Sequence, residues 1–410
     1  MNKTTKLLGV ILSVAGLALT FNVNAKDDVS GGGGTTTTTT NAVVLKAIIP
    51  GVGRASPSIR GNTAVITASD QITQAQRTYV YQRTNGVWSR QAEIIPTETN
   101  INVKNRFWGR IVGDNTLVMF SFWDGITYNY VFRRTGTVWR QESSFVLSDA
   151  SGNSFLGTTD DTRLMATGAN TANPAVQVYV RTVSAIGVVS WIKQATLSSA
   201  KGNFDFMNFG NSLVAADTVL IPGIEKATGR GVVFSFKRTN GVWSEQSLLK
   251  PTSLLTVGAI FPWRIVLDGD TAVVGATIND LSTAKKVYVF KRTGSTWSEQ
   301  GVLKDDRYLG GSLYGMNMGI SGDLVVVNDS ISGYDSGSGG RFSTPPSFVV
   351  FKRDATTNQW SLLQRVFANS NKYGFGTPVD ISGTTILTPR FSLLTSPITQ
   401  EVQAYEVTTP

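Results

Sequence analysis

Three features of the chain predict an all-β fold: a seven-bladed β-propeller of four-stranded antiparallel blades, its ring closed by the N-terminal strand completing the last blade. A tryptophan-bearing strand recurs six times, and a turn followed by a β-branched run recurs seven times. No stretch beyond the N-terminus carries a helical apolar stripe. The composition agrees: 41 of 410 residues are Gly and only 16% are charged, which suits short strands joined by tight turns.

In chain order, residues 1–25 read as a secretory signal peptide. Lys3 and Lys6 form a basic start, Leu7 to Phe21 an apolar run, and Val23-Asn24-Ala25 a small-residue cleavage site. That run is shorter than the ~20 residues a spanning helix needs, and no later segment is a transmembrane candidate. Residues 26–42 are a flexible linker containing GGGGTTTTTT. The chain is therefore expected to be secreted, periplasmic or on the cell surface, without the cysteine of a lipid anchor.

Residues 43–410 carry the repeat. The six tryptophans are Trp88, Trp139, Trp191, Trp243, Trp297 and Trp360, spaced 51, 52, 52, 54 and 63 residues apart. Each lies in a phrase such as VYVFKRTGSTWSEQ (287–300): an alternating strand, a basic residue, a Gly turn, then a polar strand. Asn85-Gly86 and Asn240-Gly241 favour a tight hairpin because Gly tolerates φ > 0. Between these phrases lie copies such as GDTAVVGA (269–276) and GNTAVITA (61–68), which supply a second hairpin. Each repeat thus reads as strands a to d: a ends at the GDT-type turn, b follows it, c is VYVF, and d carries Trp. The seventh Trp strand is missing, and VVLKAII (43–49) resembles the part after each Trp. It is expected to pair with VQAYEV (402–407) and close the ring.

These phrases resemble the FG-GAP repeat family, the seven-bladed propeller also found at the head of integrin α subunits. Phe375-Gly376 in FGTPVDISGTTI, Phe209-Gly210 in FGNSLVAADTVLI and Tyr314-Gly315 in YGMNMGISGDLVVV carry the first part of the motif, and Gly275-Ala276 its end. Phe261-Pro262 replaces the Phe-Gly pair in one copy. The resemblance implies protein–protein or cell-surface interaction. It does not bring calcium: no DxDxDG loop is present, and the a–b turns are too short to wrap a hard cation. No cofactor or metal is expected.

With no Cys and no His, thiol nucleophiles, Ser-His-Asp triads and His-ligated zinc are excluded. The acids form no paired motif, so no enzymatic activity is expected. The charge is +9, or +7 once residues 1–25 are removed. Lys and Arg are spread by the repeat and not clustered, which argues against nucleic acid. The basic balance suits a protein or an anionic cell-surface or polysaccharide ligand. The arginines ending strand c (Arg83, Arg134, Arg181, Arg238, Arg292 and Arg353) read either as a cationic ring or as pins stacked on the nearby Trp.

Residues that break the repeat are the better binding candidates. The b–c and d–a loops share one face and carry Trp108, Trp123, Asp124, Trp263, Tyr308, Tyr334 and Arg341. Aromatics beside polar groups suit a protein hot spot or a sugar ring. The expectation is a monomeric, non-enzymatic binding or adhesion module presenting this loop face to a protein or cell-surface partner. A carbohydrate-binding lectin is the alternative and a carboxylate-dependent polysaccharide hydrolase the third reading.

Overall fold

The computed structural model describes residues 42–408, except 52–53, 70–74, 99–105, 124–125, 149–162, 169–174, 205–212, 253–258, 279–285, 305–313, 330–345, 369–377 and 392–399. The expected signal peptide and linker lie outside the described residues, apart from Ala42. Among the described residues every regular element is a strand, and no helix is long and apolar enough to cross a membrane.

The outermost strand of the last sheet comes first in the chain, as β1 (Val43–Gly51). The first blade is β2 (Arg54–Arg60), β3 (Thr63–Ser69), β4 (Gln76–Thr84) and β5 (Val87–Ile94). The second is β6 (Trp108–Gly113), β7 (Thr116–Trp123), β8 (Ile126–Thr135) and β9 (Val138–Ser148). A three-stranded sheet follows: β10 (Arg163–Gly168), β11 (Ala175–Val183) and β12 (Val189–Leu197). The next blade splits its inner strand into β13 (Gly202–Phe204) and β14 (Leu213–Ala215), both pairing with β15 (Thr218–Glu225), then β16 (Gly231–Thr239) and β17 (Val242–Glu245). Two regular blades come after it. One is β18 (Ala259–Asp268), β19 (Thr271–Ile278), β20 (Lys286–Thr293) and β21 (Thr296–Leu303). The other is β22 (Met318–Ser321), β23 (Leu324–Asp329), β24 (Ser347–Arg353) and β25 (Trp360–Phe367). The last sheet is β26 (Asp380–Ser382), β27 (Thr385–Phe391), β28 (Gln400–Val407) and β1.

This is an all-β propeller of antiparallel blades. The expectation of seven four-stranded blades needs correction: six blades have four or more strands, and the sheet of β10–β12 has three among the described residues. Residues 149–162, between β9 and β10, lie outside the described residues. Strand β1 pairs antiparallel with β28, from Val43 opposite Val407 to Gly51 opposite Gln400. The two ends of the described chain thus share one sheet.

The core lies between sheets, because a sheet this small cannot cover both of its own faces. Val65, Val80 and Ile94 of the first blade pack with Phe107, Leu117 and Met119 of the second. Ile49, Leu387 and Val402 of the last sheet pack with Ile59, Ala64 and Ile66 of the first. Val176, Val178 and Leu197 of the three-stranded sheet join Val219, Ile221 and Phe234 of the blade after it. The described aromatics at the Phe-Gly position belong to this core: Phe107, Phe261 and Tyr314 are buried. Close approach explains the Gly of the Gly-Ala pair. A Cβ on Gly275 would lie 2.5 Å from the carbonyl oxygen of Gly315 in the next blade.

The tryptophans bridge neighbouring sheets. The indole N–H of Trp139 donates to Gln91 at 3.1 Å, that of Trp191 to Ser143 at 3.0 Å, that of Trp243 to Gln194 at 3.1 Å, and that of Trp297 to Ser235 at 2.8 Å. Every acceptor is on the preceding sheet. The strand-c arginines act as pins. The guanidinium carbons of Arg83, Arg134, Arg292 and Arg353 lie 5.1–5.8 Å from the ring centres of Trp88, Trp139, Trp297 and Trp360. Each also bonds its own a–b turn, as Arg292 Nε does to Asp270 at 2.8 Å. Several reach a Thr on the preceding blade: Arg83 to Thr385 at 2.7 Å, Arg134 to Thr63 at 3.0 Å, Arg292 to Thr218 at 2.9 Å. Of the two readings of these arginines, this geometry favours the pin.

Candidate functional site

The inner strands surround the propeller axis. Their backbone amides are stitched to acceptors on the preceding sheet, which fixes the spacing around the centre. Ile111 N–H donates to Ser58 Oγ at 3.0 Å and Ile59 N–H to Asp380 Oδ2 at 3.0 Å. At the turns, Gly61 N–H donates to Ser382 Oγ and Gly383 N–H to Ser321 Oγ, both at 2.8 Å.

Within this ring lies a cavity of about 80 Å³, lined by residues of β2, β6, β14, β18, β22 and β26. Many of the residues around it are aliphatic, including Ile59, Ile111, Leu213, Ile265, Ile320 and Ile381, but the surface it exposes is mostly polar. Among the described residues three charged side chains also line it, Arg60, Arg110 and Asp380, and Arg264 is close enough to Arg110 and Asp380 to feel both charges. Arg60 is the residue before the β2–β3 turn and is exposed, so it marks the mouth on the a–b turn face. Arg110 and Arg264 lie further along their strands and are half-buried. Gly319 stands beside Asp380; a Cβ there would come 3.3 Å from Oδ1 and 2.9 Å from Ile381.

The electrostatics reflect this enclosure. Burial, and then the Arg110 charge, lower the Arg264 pKa to about 10 against an opposing pull from Asp380. Burial also lowers Arg110, with Asp380 raising it and Arg60 lowering it. Arg264 is still cationic at pH 7. Asp380 accepts from two backbone amides, those of Ile59 and Ile381 at 3.0 Å each, so part of its hydrogen-bonding capacity serves the ring. Among the described residues at the cavity, three arginines against one aspartate give an excess of positive charge at a partly dehydrated centre, where an anion is favoured.

The loop-face residues fall elsewhere. Trp108 begins β6 and pairs with Phe120, while Trp123 ends β7 and pairs with Ile126. They share the second blade. Trp263 lies in β18, where the register shifts between Ile260 and Arg264, on a different blade. Asp124, Tyr308, Tyr334 and Arg341 lie outside the described residues. Sequence reasoning passed over the axial arginines, although a signal was present. Arg110 and Arg264 each stand three residues after a Phe-Gly-position aromatic, where other copies have Ser212, Asn317 and Pro378. Among the described residues no group of three or more acidic side chains is placed to hold a metal.

No protein-family model matches the chain, and no curated protein sequence matches it. Solved structures do resemble it. The β-propeller domain of the Trilobed protease from Pyrococcus furiosus is 9% identical with a TM-score of 0.49, over 88% of this chain and 97% of that one. The acylaminoacyl peptidase of Pyrococcus horikoshii is 10% identical with a TM-score of 0.46, over 84% of this chain and 49% of that one. The oligogalacturonate lyase of Vibrio parahaemolyticus is 9% identical with a TM-score of 0.42, over 88% and 93%. These likenesses show the fold alone. They correct two expectations, the non-enzymatic adhesion module and the exclusion of enzymatic activity. Propellers of this kind occur in peptidases and a lyase, so the fold does not set the chain apart from enzymes.

Proposed function

We propose that the chain recognises a small anionic ligand at the propeller axis, entering from the a–b turn face. The observation that carries this reading is the convergence of Arg60, Arg110 and Arg264 around one cavity whose single lining carboxylate among the described residues is Asp380. Like charges brought together away from water destabilise one another, and an anion offsets that cost. In this reading β10–β12 serves as the seventh radial unit, residues 1–25 export the chain, and the Gly275–Gly315 approach supports an FG-GAP-like repeat. Isothermal titration calorimetry of the full chain with small carboxylates, sulfate and phosphate tests it. One saturable site is expected, weakened at least about tenfold by Arg110→Gln, the loss of one charge-assisted hydrogen-bond partner. Saturable binding untouched by both Arg110→Gln and Arg264→Gln would place the ligand elsewhere.

A further inference from the structure

Resting on that reading, we infer that the axial site selects a tetrahedral dianion: sulfate, hydrogen phosphate, or the same group at the end of an ester. Charge is the first reason. Among the described residues at the cavity, Arg60, Arg110 and Arg264 against Asp380 leave two positive charges, which a dianion neutralises and a monocarboxylate does not. Asp268 is exposed at the β18–β19 turn; its carboxylate is not part of the lining and accepts the Gly322 N–H.

Direction is the second reason. The three guanidinium groups come from three strands, β2 and β6 on adjacent blades and β18 three sheets beyond β6. They therefore approach the centre from different sides. A carboxylate offers two oxygens in one plane and suits a single Arg fork, whereas a tetrahedral group offers oxygens to all three.

Size is compatible with this: a cavity of about 80 Å³ has room for one tetrahedral oxyanion. The exposed Arg60 at the mouth leaves space outside for the remainder of an ester.

The test is calorimetry on the full chain at pH 7.5 and constant ionic strength, with sodium sulfate, sodium formate and phenyl phosphate as probes. A phosphate monoester is mostly dianionic there, since its second pKa is about 6. Sulfate should bind about tenfold or more tighter than formate, the preference that one further unit of ligand charge supplies among paired arginines. Arg60→Gln, at an exposed position where the fold tolerates change, should cut that preference to about threefold or less. Phenyl phosphate binding as tightly as sulfate supports the dianion with an ester as its source. Its exclusion while sulfate still binds supports the dianion as a free ion. Formate binding as tightly as sulfate would overturn the dianion and leave axial anion binding standing. Saturable binding of none of the three would overturn both.

Discussion

Arg292 joins three parts of the propeller through one side chain. Its guanidinium bonds Asp270 of its own turn and Thr218 of the preceding blade, and stacks on Trp297. Lys cannot reproduce that fork, so Arg292→Lys should destabilise the fold by about 1–3 kcal/mol, read from the urea midpoint. The same contact shapes the acid limb of stability. Burial raises the Asp270 pKa, but the Arg292 hydrogen bond and charge, with Lys237 and Lys291 nearby, outweigh it and leave the carboxyl below its ordinary value. Glu225 is also lowered, by the Thr228 hydroxyl first and by Lys250, with burial opposing. In both cases the unfolded state binds its proton at higher pH. The stability these groups contribute is therefore present above the unfolded value, near 4, and lost as pH falls through the depressed folded value. Urea midpoints measured between about pH 2 and 6 should fall less steeply in the Asp270→Asn, Glu225→Gln double variant than in the parent. An unchanged slope would mean that these carboxyls do not shape the acid limb.

At the scale of the element, the c–d hairpins are the best-defined parts. Asn85 and Gly86 have φ of +49° and +80°, and Asn240 and Gly241 +49° and +86°, the double positive pair that a two-residue hairpin turn needs. These were legible in the sequence because period-two alternation and turn chemistry are local. The inner strands were less so. β13 and β14 are two pieces paired to one strand, and β18 breaks register between Ile260 and Arg264. Such interruptions depend on what neighbouring blades press against, and alternation along one strand does not record that. The axial arginines were missed for a related reason. Arg60, Arg110 and Arg264 are far apart in sequence, and only ring geometry brings them together. Inter-sheet approach also sets a test at this scale. Gly275→Ala places a methyl against the Gly315 carbonyl and should cost about 1–3 kcal/mol by overpacking, measured by thermal or urea unfolding.

At the scale of the whole molecule, closure of the ring governs stability. Ile49 on β1 is 1% exposed and packs across the closing sheet onto the first blade. Ile49→Ala should cost about 2–5 kcal/mol in a single cooperative transition, because the closing strand holds both ends of the ring.

The central claim is that the axis holds an anion between the arginines. The most direct measurement is an anomalous-difference map from crystals of the full chain grown with selenate, a tetrahedral dianion that scatters anomalously. The account predicts a peak within the cavity, in hydrogen-bonding reach of Arg110 and Arg264, that disappears in crystals of Arg110→Gln. A cavity holding only water at selenate concentrations that saturate other surface sites would contradict it.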